Sequence, residues 1–269
     1  MGDKTRISWA DATWNPVTGC TKVSPACDHC YAEGIATRFT GTPAYPHGFT
    51  VTLWPDRLTV PSHWTRPRRI FVCSMSDLFH HEVPTAFIAQ VLGVAARCPH
   101  HTFLLLTKRH ARLRDLFTDL GFAQAVQDAA GTTIAWPLPN VWVGVTVETQ
   151  DWANIRVPAL LSTPAAHRWV CMEPLLEQIH LPMPIHPWYV TRPCVDWVVV
   201  GGESGAHARR MDPGWLEYTI EHCKLAGVPL YMKQLGTVLA HELGIPGKGA
   251  DPTWWTPPWP QHTPWTPQE

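Results

Sequence analysis

No stretch of the 269-residue sequence approaches the ~18 consecutive apolar residues of a membrane-spanning helix, which excludes that class of membrane protein. Charge is also scarce: Asp, Glu, Lys and Arg make up 16% of the chain, against about 25% in average proteins. With 21 basic and 22 acidic residues the net charge is −1, so no global field draws the chain to nucleic acid and no acidic tail solvates it. The one basic cluster, Arg66-Pro67-Arg68-Arg69, reads as a charged loop leading into a strand. Eight cysteines in a chain of this length are too sparse for a disulfide scaffold. The glycine fingerprint of dinucleotide binding is missing, as are a phosphate-binding P-loop, a nucleophile elbow and a zinc-protease helix motif, which removes four large enzyme classes. The opening M-G-D-K-T-R-I-S-W has no apolar signal-peptide run and no Ser or Thr where a myristoylation signal wants one. The expectation is a soluble cytoplasmic protein whose thiols stay reduced.

What the chain does have is residues 14–31, W-N-P-V-T-G-C-T-K-V-S-P-A-C-D-H-C-Y, with Cys20, Cys27 and Cys30 in a C-x6-C-x2-C array. Three thiolates are too few for a closed tetrahedral site, which takes four ligands. They suit an open metal site or an iron–sulfur cluster with one iron left for another group. Soft thiolates select zinc or iron–sulfur over hard cations. Cys73 and Cys171 lie in apolar runs and read as small buried hydrophobes, whereas Cys98, Cys194 and Cys223 stand alone as candidates for a fourth ligand.

Downstream, short apolar runs alternate with helical patterns. Residues 69–74, 102–107, 141–147, 167–172, 196–200 and 228–232 read as buried strands, and residues 12–17 and 49–53 raise the candidates to eight. Helical spacing covers residues 31–39, 84–97, 109–120, 151–161 and 213–226. In 84–97 the core-facing residues are Phe87, Ile88, Val91, Leu92 and Ala95. This rhythm predicts an α/β fold: a (β/α) TIM-type barrel, complete or partial, of six to eight parallel strands over residues 1–236. Residues 237–269 form a Pro/Trp-rich C-terminal extension; from Asp251 onward proline should forbid regular structure and leave the chain extended over the surface, with some of Trp254, Trp255, Trp259 and Trp265 packed against the body or a partner.

Nearly every predicted strand ends in a chemically useful group, and in parallel barrels reacting groups sit at those C-terminal ends. The candidates are Ser76 and Asp77, with His80 and His81 beyond; Lys108; Thr146 and Glu148; Glu173; Gly201, Gly202, Glu203 and Ser204; and Lys233. Gly201 and Gly202, lacking Cβ atoms, would let a ligand approach the backbone.

The run W-N-P-V-T-G-C…C-D-H-C-Y-A resembles the opening of radical S-adenosylmethionine (SAM) enzymes, especially the spore photoproduct lyase-like branch. Those proteins space their cysteines C-x3-C-x2-C, so this chain carries three extra residues between Cys20 and Cys27. The chain as a whole is similar to a phage-associated family of uncharacterised three-cysteine-motif proteins. That likeness rests on T-W-N-P-V-T-G-C, C-D-H-C-Y-A-E, S-M-S-D-L-F-H, L-T-K-R, N-V-W-V-G-V-T-V-E, E-P-L-L and V-V-V-G-G-E-S-G, which span nearly all of residues 7–236. The resemblance implies a [4Fe-4S] cluster on Cys20, Cys27 and Cys30, with SAM bound at the unique iron and cleaved on reduction to methionine and a 5′-deoxyadenosyl radical. It also implies an electron-donor protein, and it points to nucleic acid as substrate. His29 stands where those enzymes usually carry an aromatic residue. Their G-G-E motif follows the second strand, so Gly201-Gly202-Glu203, late in this chain, is read on the adenine side instead, with Thr146 and Glu148 toward the ribose. Asp77, Glu173, Lys108 and Lys233 complete the expected cofactor surroundings. The alternative is a non-catalytic iron–sulfur or zinc module that binds nucleic acid or a partner protein; a zinc hydrolase is weakened by the lack of a histidine cluster.

Overall fold

The structure, a computed structural model, describes residues 5–182, 194–256 and 258–265. Its strands are β1 (Ala12–Trp14), β2 (Val17–Thr18), β3 (Thr52–Leu53), β4 (Arg69–Val72), β5 (Thr102–Thr107), β6 (Val141–Thr146), β7 (His167–Met172), β8 (Trp197–Gly201) and β9 (Leu230–Gln234). Seven of them form one sheet in the order β1-β4-β5-β6-β7-β8-β9. The pairings β1–β4, β4–β5, β7–β8 and β8–β9 are parallel. The order follows the chain without reversal, so there is no switch point of the doubly wound kind, and the topology is compatible with a partial TIM-type barrel. No helix among the described residues is long and apolar enough to cross a membrane.

The helices are α1 (Tyr31–Arg38), α2 (Thr85–Arg97), α3 (His110–Thr118), α4 (Leu120–Ala130), α5 (Gln150–Ser162), α6 (Pro213–Ala226) and α7 (Thr237–Glu242). The chain divides into two compact units: Met1–Val23, Cys30–Gly144 and Thr163–His167 form the first, and Ser24–His29, Val145–Ser162 and Arg168–Glu269 the second.

In the first unit the apolar strand residues Ile70, Phe71, Val72, Phe103, Leu104 and Leu105 are buried, as are the predicted core residues of α2. The helix predicted over residues 109–120 proves to be two. Asp119 adopts an extended conformation, ends α3, and accepts a hydrogen bond from the Gly121 amide at 2.8 Å to start α4. Helix α4 then buries Phe122, Val126 and Ala130 at four-residue spacing. It approaches α2 so closely that a Cβ on Gly93 would stand 2.8 Å from the Ala129 carbonyl carbon.

The eighth predicted strand is corrected. Within residues 49–53 only β3 is extended, and it pairs antiparallel with β2 in a separate two-stranded sheet. The alternation of F-T-V-T-L marks an extended segment, but alternation carries no information about its partner.

In the second unit β8 is buried along its whole length, and α6 starts at an Asp212 cap and stops at Gly227 in the left-handed conformation. The proline-rich extension is more regular than predicted. Met232 donates to the Pro260 carbonyl at 2.8 Å, His262 donates to the Leu230 carbonyl at 2.9 Å, and Tyr231 and Gln261 form an antiparallel bridge. The segment therefore covers the free edge of β9, which an exposed strand must hide in some way. Proline is tolerated there because the ladder asks Pro260 for an acceptor, not for the donor it lacks. Trp255 is buried with its Nε1 donating to the Gly249 carbonyl, and Trp265 packs edge-on to Trp197, whereas Trp254 is exposed.

Candidate metal and cofactor site

The residues around the first cysteine explain the W-N-P-V-T-G-C run. Trp14 is fully buried and donates through Nε1 to the Arg57 carbonyl at 2.8 Å. Asn15 Oδ1 accepts from the Ser74 hydroxyl and the Met75 amide, both at 3.2 Å, tying β1 to the end of β4. Thr18 Oγ1 accepts from Trp54 Nε1 at 2.8 Å. Gly19 has φ +84°, and a Cβ there would lie 2.2 Å from the Thr50 carbonyl oxygen, so only glycine turns the chain into Cys20. The Cys20 amide is then held by the Phe49 carbonyl at 3.1 Å. The small β2–β3 sheet thus has a purpose in the first unit: it delivers Cys20 beyond the end of β1.

Beside Cys20 lies a polar network built on Asp77, which is 6% exposed. Its carboxylate accepts from the Thr107 hydroxyl at 2.7 and 2.9 Å, the Phe79 amide at 3.0 Å, the Lys108 amide at 3.0 Å and Arg109 Nη1 at 3.1 Å. Arg109 Nη1 also lies 3.4 Å from the Cys20 sulfur, and Nη2 donates to the Thr21 carbonyl and hydroxyl at 3.0 and 3.1 Å. Burial disfavours the guanidinium charge, but Asp77 and Cys20 outweigh it and hold the Arg109 pKa above its ordinary value. Ser76 donates to the Val17 carbonyl at 2.8 Å. Lys108 enters the network through its backbone.

His80 is fully buried; its Nδ1 accepts from the Glu82 amide at 3.2 Å, and its Nε2 lies 2.8 Å from the Thr21 hydroxyl oxygen. The Nδ1 contact assigns the proton to Nε2, which donates to Thr21. Burial, then Arg109 and His81, push its pKa down. His80, His81 and Glu82 bring ligand atoms within 4.8 Å of one another, but both nitrogens of His80 are already spent, so the group makes no cation site. Two arginines of the Arg66–Arg69 cluster are engaged internally: Arg69 pairs with Asp11 at 2.6 Å and Arg68 lies over the Trp64 ring, whereas Arg66 is exposed.

In the second unit the segment Ser24–His29, which carries Cys27 in a single 3-10 turn, is held by a second carboxylate–arginine pair. Arg209 forks onto Glu203, Nη2 to Oε1 at 2.6 Å and Nε to Oε2 at 2.8 Å, and its amide adds a bond of 2.7 Å. Arg209 Nη2 also donates to the Pro25 carbonyl at 2.8 Å, and Nη1 reaches Asp28 Oδ2 at 3.3 Å. His29 Nδ1 lies 3.2 Å from Glu203 Oε2. Burial raises the Glu203 pKa, but the bonds from Arg209 and His29 outweigh it and the net shift is downward.

Glu148 forms a fully buried ion pair with Arg156 at 2.8 Å, and its other oxygen lies 3.4 Å from the Ala26 amide. Arg156 also donates to the Thr146 carbonyl and stacks over Trp152. Glu173 takes Lys233 Nζ on both oxygens, at 2.7 and 2.8 Å. Lys248 is exposed, yet its pKa is lowered, first by desolvation and then by the neighbouring Lys233 charge. Ser204 is half-buried just after Glu203.

The glycines have a packing role. A Cβ on Gly201 would stand 3.3 Å from the Glu173 side chain, and one on Gly202 would stand 2.1 Å from the Leu235 carbonyl oxygen. The space next to these backbones is filled by the protein itself.

All eight cysteines are free. Cys20, Cys27 and Cys30 are half-buried, and Cys30 sits at the N-terminal cap of α1. Cys73, Cys98, Cys171 and Cys223 are buried in the core, with burial pushing the Cys73 and Cys223 thiols up to about 12. Cys194 is exposed.

Within the first unit, then, Cys20 and Asp77 meet through Arg109; within the second, Glu203 meets His29, and Glu173 meets Lys233. Arg209 was not among the residues picked out from the sequence, and Arg109, at a predicted strand end, was given no role. The signal lay in the cations next to Lys108 and a few residues after Glu203, the positions from which an arginine can fold back onto a strand-end carboxylate.

A family model described as Protein of unknown function (DUF5131) matches residues 4–254, and the chain belongs to that family. No curated protein and no solved structure matches it.

Proposed function

We propose that this member of the DUF5131 family is a radical SAM-type enzyme that holds a [4Fe-4S] cluster on Cys20, Cys27 and Cys30. The observation that carries the reading is the loop itself: three half-buried free thiols within eleven residues, one with a guanidinium beside its sulfur. Thiolates near arginine are stabilised as anions, the form that binds metal, and three ligands leave a position open for a substrate-like group. The donor set fits an iron–sulfur cluster. When bound, that group would supply one electron for cleavage of SAM to methionine and a 5′-deoxyadenosyl radical, which abstracts hydrogen from substrate.

The residues of this chain would hold and shield. Arg109 orients Cys20, with Asp77 fixing the guanidinium. Arg209 and Glu203 fix the backbone that carries Cys27. A low-potential electron-donor protein is the implied partner, and the lyase resemblance favours nucleic acid as the substrate class.

One observation favours a second reading, an iron–sulfur or zinc module without catalysis. Asp77, Glu148, Glu173 and Glu203 all have their carboxylates engaged by cations of the chain itself, so the strand ends are knitted together internally. The test is reduction of the iron-loaded protein with SAM present. Formation of 5′-deoxyadenosine supports the enzyme; its absence with an intact, reduced cluster supports the binding module.

A further inference from the structure

A cation fixed on the body of the first unit reaches a sulfur atom of the cysteine loop. Arg109 Nη1 stands 3.4 Å from Cys20 Sγ and 3.1 Å from Asp77 Oδ2, so one nitrogen faces both groups. The side chains of Arg109 and Asp77 are 12% and 8% exposed, which leaves little solvent to screen the charges. The arrangement is rigid. Asp77 is fixed by Thr107 and by two backbone amides, and Thr107 Oγ1 in turn accepts from the Arg109 amide at 2.8 Å. The other nitrogen of the guanidinium is occupied by Thr21, the residue that follows Cys20. Arg209, in its own unit, reaches the loop through the Pro25 carbonyl and the Asp28 carboxylate instead.

We propose that Arg109, fixed by Asp77, is a positioning residue that sets the reduction potential of the group bound at Cys20. This rests on the reading of the loop as an iron–sulfur site. One-electron reduction of a [4Fe-4S] cluster from the 2+ to the 1+ state breaks no bond; the electron arrives from a low-potential donor, and the added negative charge spreads over iron and sulfur. A hydrogen-bond donor with a full positive charge at a ligating sulfur stabilises the more negative state and raises the potential. Asp77 opposes it, because its carboxylate offsets part of the guanidinium charge. The two residues therefore act on the potential with opposite signs, which a purely structural role for the pair would not produce.

The experiment uses the full chain, loaded anaerobically with iron and sulfide and titrated with a low-potential reductant while the reduced cluster is followed by electron paramagnetic resonance. Arg109→Gln, which retains a donor but no charge, should shift the midpoint negative, and Arg109→Lys should shift it less. Asp77→Asn should shift it positive. Arg210→Gln, which removes an exposed cation paired with Glu242 and Asp212, should leave the midpoint unchanged. Unchanged midpoints in loaded Arg109→Gln and Asp77→Asn, or shifts of the same sign in both, would overturn the proposal. So would folded Arg109 variants that take up no iron, since the residue would then serve only to build the site. A wild-type chain that takes up no iron refutes the underlying reading, and this proposal with it.

Discussion

The guanidinium of Arg209 forks onto both oxygens of Glu203, at 2.6 and 2.8 Å, and the same side chain grips the Pro25 carbonyl at 2.8 Å. A carboxylate that the sequence offers as a cofactor ligand is thus the anchor of an arginine that holds the Cys27 segment. Removing one partner of such a pair leaves the other charge poorly solvated, and Glu203 is buried while Arg209 is one-third exposed. Glu203→Ala should cost about 1–3 kcal/mol, less than a fully buried pair because of that exposure. Amide exchange over Ser24–His29 should speed up more than exchange in α6. Equal protection of that segment in wild type and variant would contradict the anchor role.

Asp77 has the same character in the first unit. Asp77→Ala strands the Thr107 hydroxyl, two amides and a guanidinium, and should lower stability by roughly 2–4 kcal/mol in urea unfolding. A loss under about 0.5 kcal/mol, typical of a surface change, would mean that these bonds carry little of the local structure.

Gly202 separates packing from ligand approach. Alanine there would put a Cβ 2.1 Å from the Leu235 carbonyl oxygen, a contact that only movement of backbone can relieve. Gly202→Ala should therefore unfold at lower temperature whether or not metal or SAM is present, with a loss of about 2 kcal/mol or more. If the variant is as stable as wild type and only SAM affinity suffers, the glycine serves the ligand.

Two buried histidines predict the acid limb of stability. His101 Nε2 donates to the Pro61 carbonyl at 3.1 Å while its Nδ1 accepts from the Arg68 amide at 3.2 Å, which fixes the neutral ring. His222 lies against the Leu181 carbonyl at 3.1 Å. Desolvation lowers both pKa values below the ordinary 6.5, helped at His101 by His100 and at His222 by His180. The unfolded chain then binds protons more readily than the folded one. Their contribution is complete above 6.5 and is lost as pH falls below it, down to the depressed folded values. Melting temperature should drop between pH 7 and 5.5, and less steeply in His222→Asn. An identical slope in wild type and His222→Asn would remove His222 from the account.

The alternation of apolar runs and helical stretches made the α/β class legible, because a sheet covered on both faces needs continuous apolar strands such as W-V-V-V-G in β8. The partner of β3 was not legible, since alternation is local and strand pairing is not. Helix α4 hid behind Asp119, read as helix interior although its short acidic side chain suits a cap. At the site, Asp77, Glu203 and Glu173 were visible as strand-end residues. Their engagement was not, because Arg109, Arg209 and Lys233 reach them through side-chain conformations that a linear pattern does not encode. The edge-covering tail was hidden by its prolines, whose carbonyls remain available to a ladder.

The central claim is that Cys20, Cys27 and Cys30 hold an iron–sulfur cluster, and metal content with an anaerobic absorption spectrum tests it most directly. Protein purified without oxygen should be brown, with about four irons per chain, and alanine at any one of the three cysteines should abolish the colour. A colourless protein that retains about one zinc per chain would contradict the account.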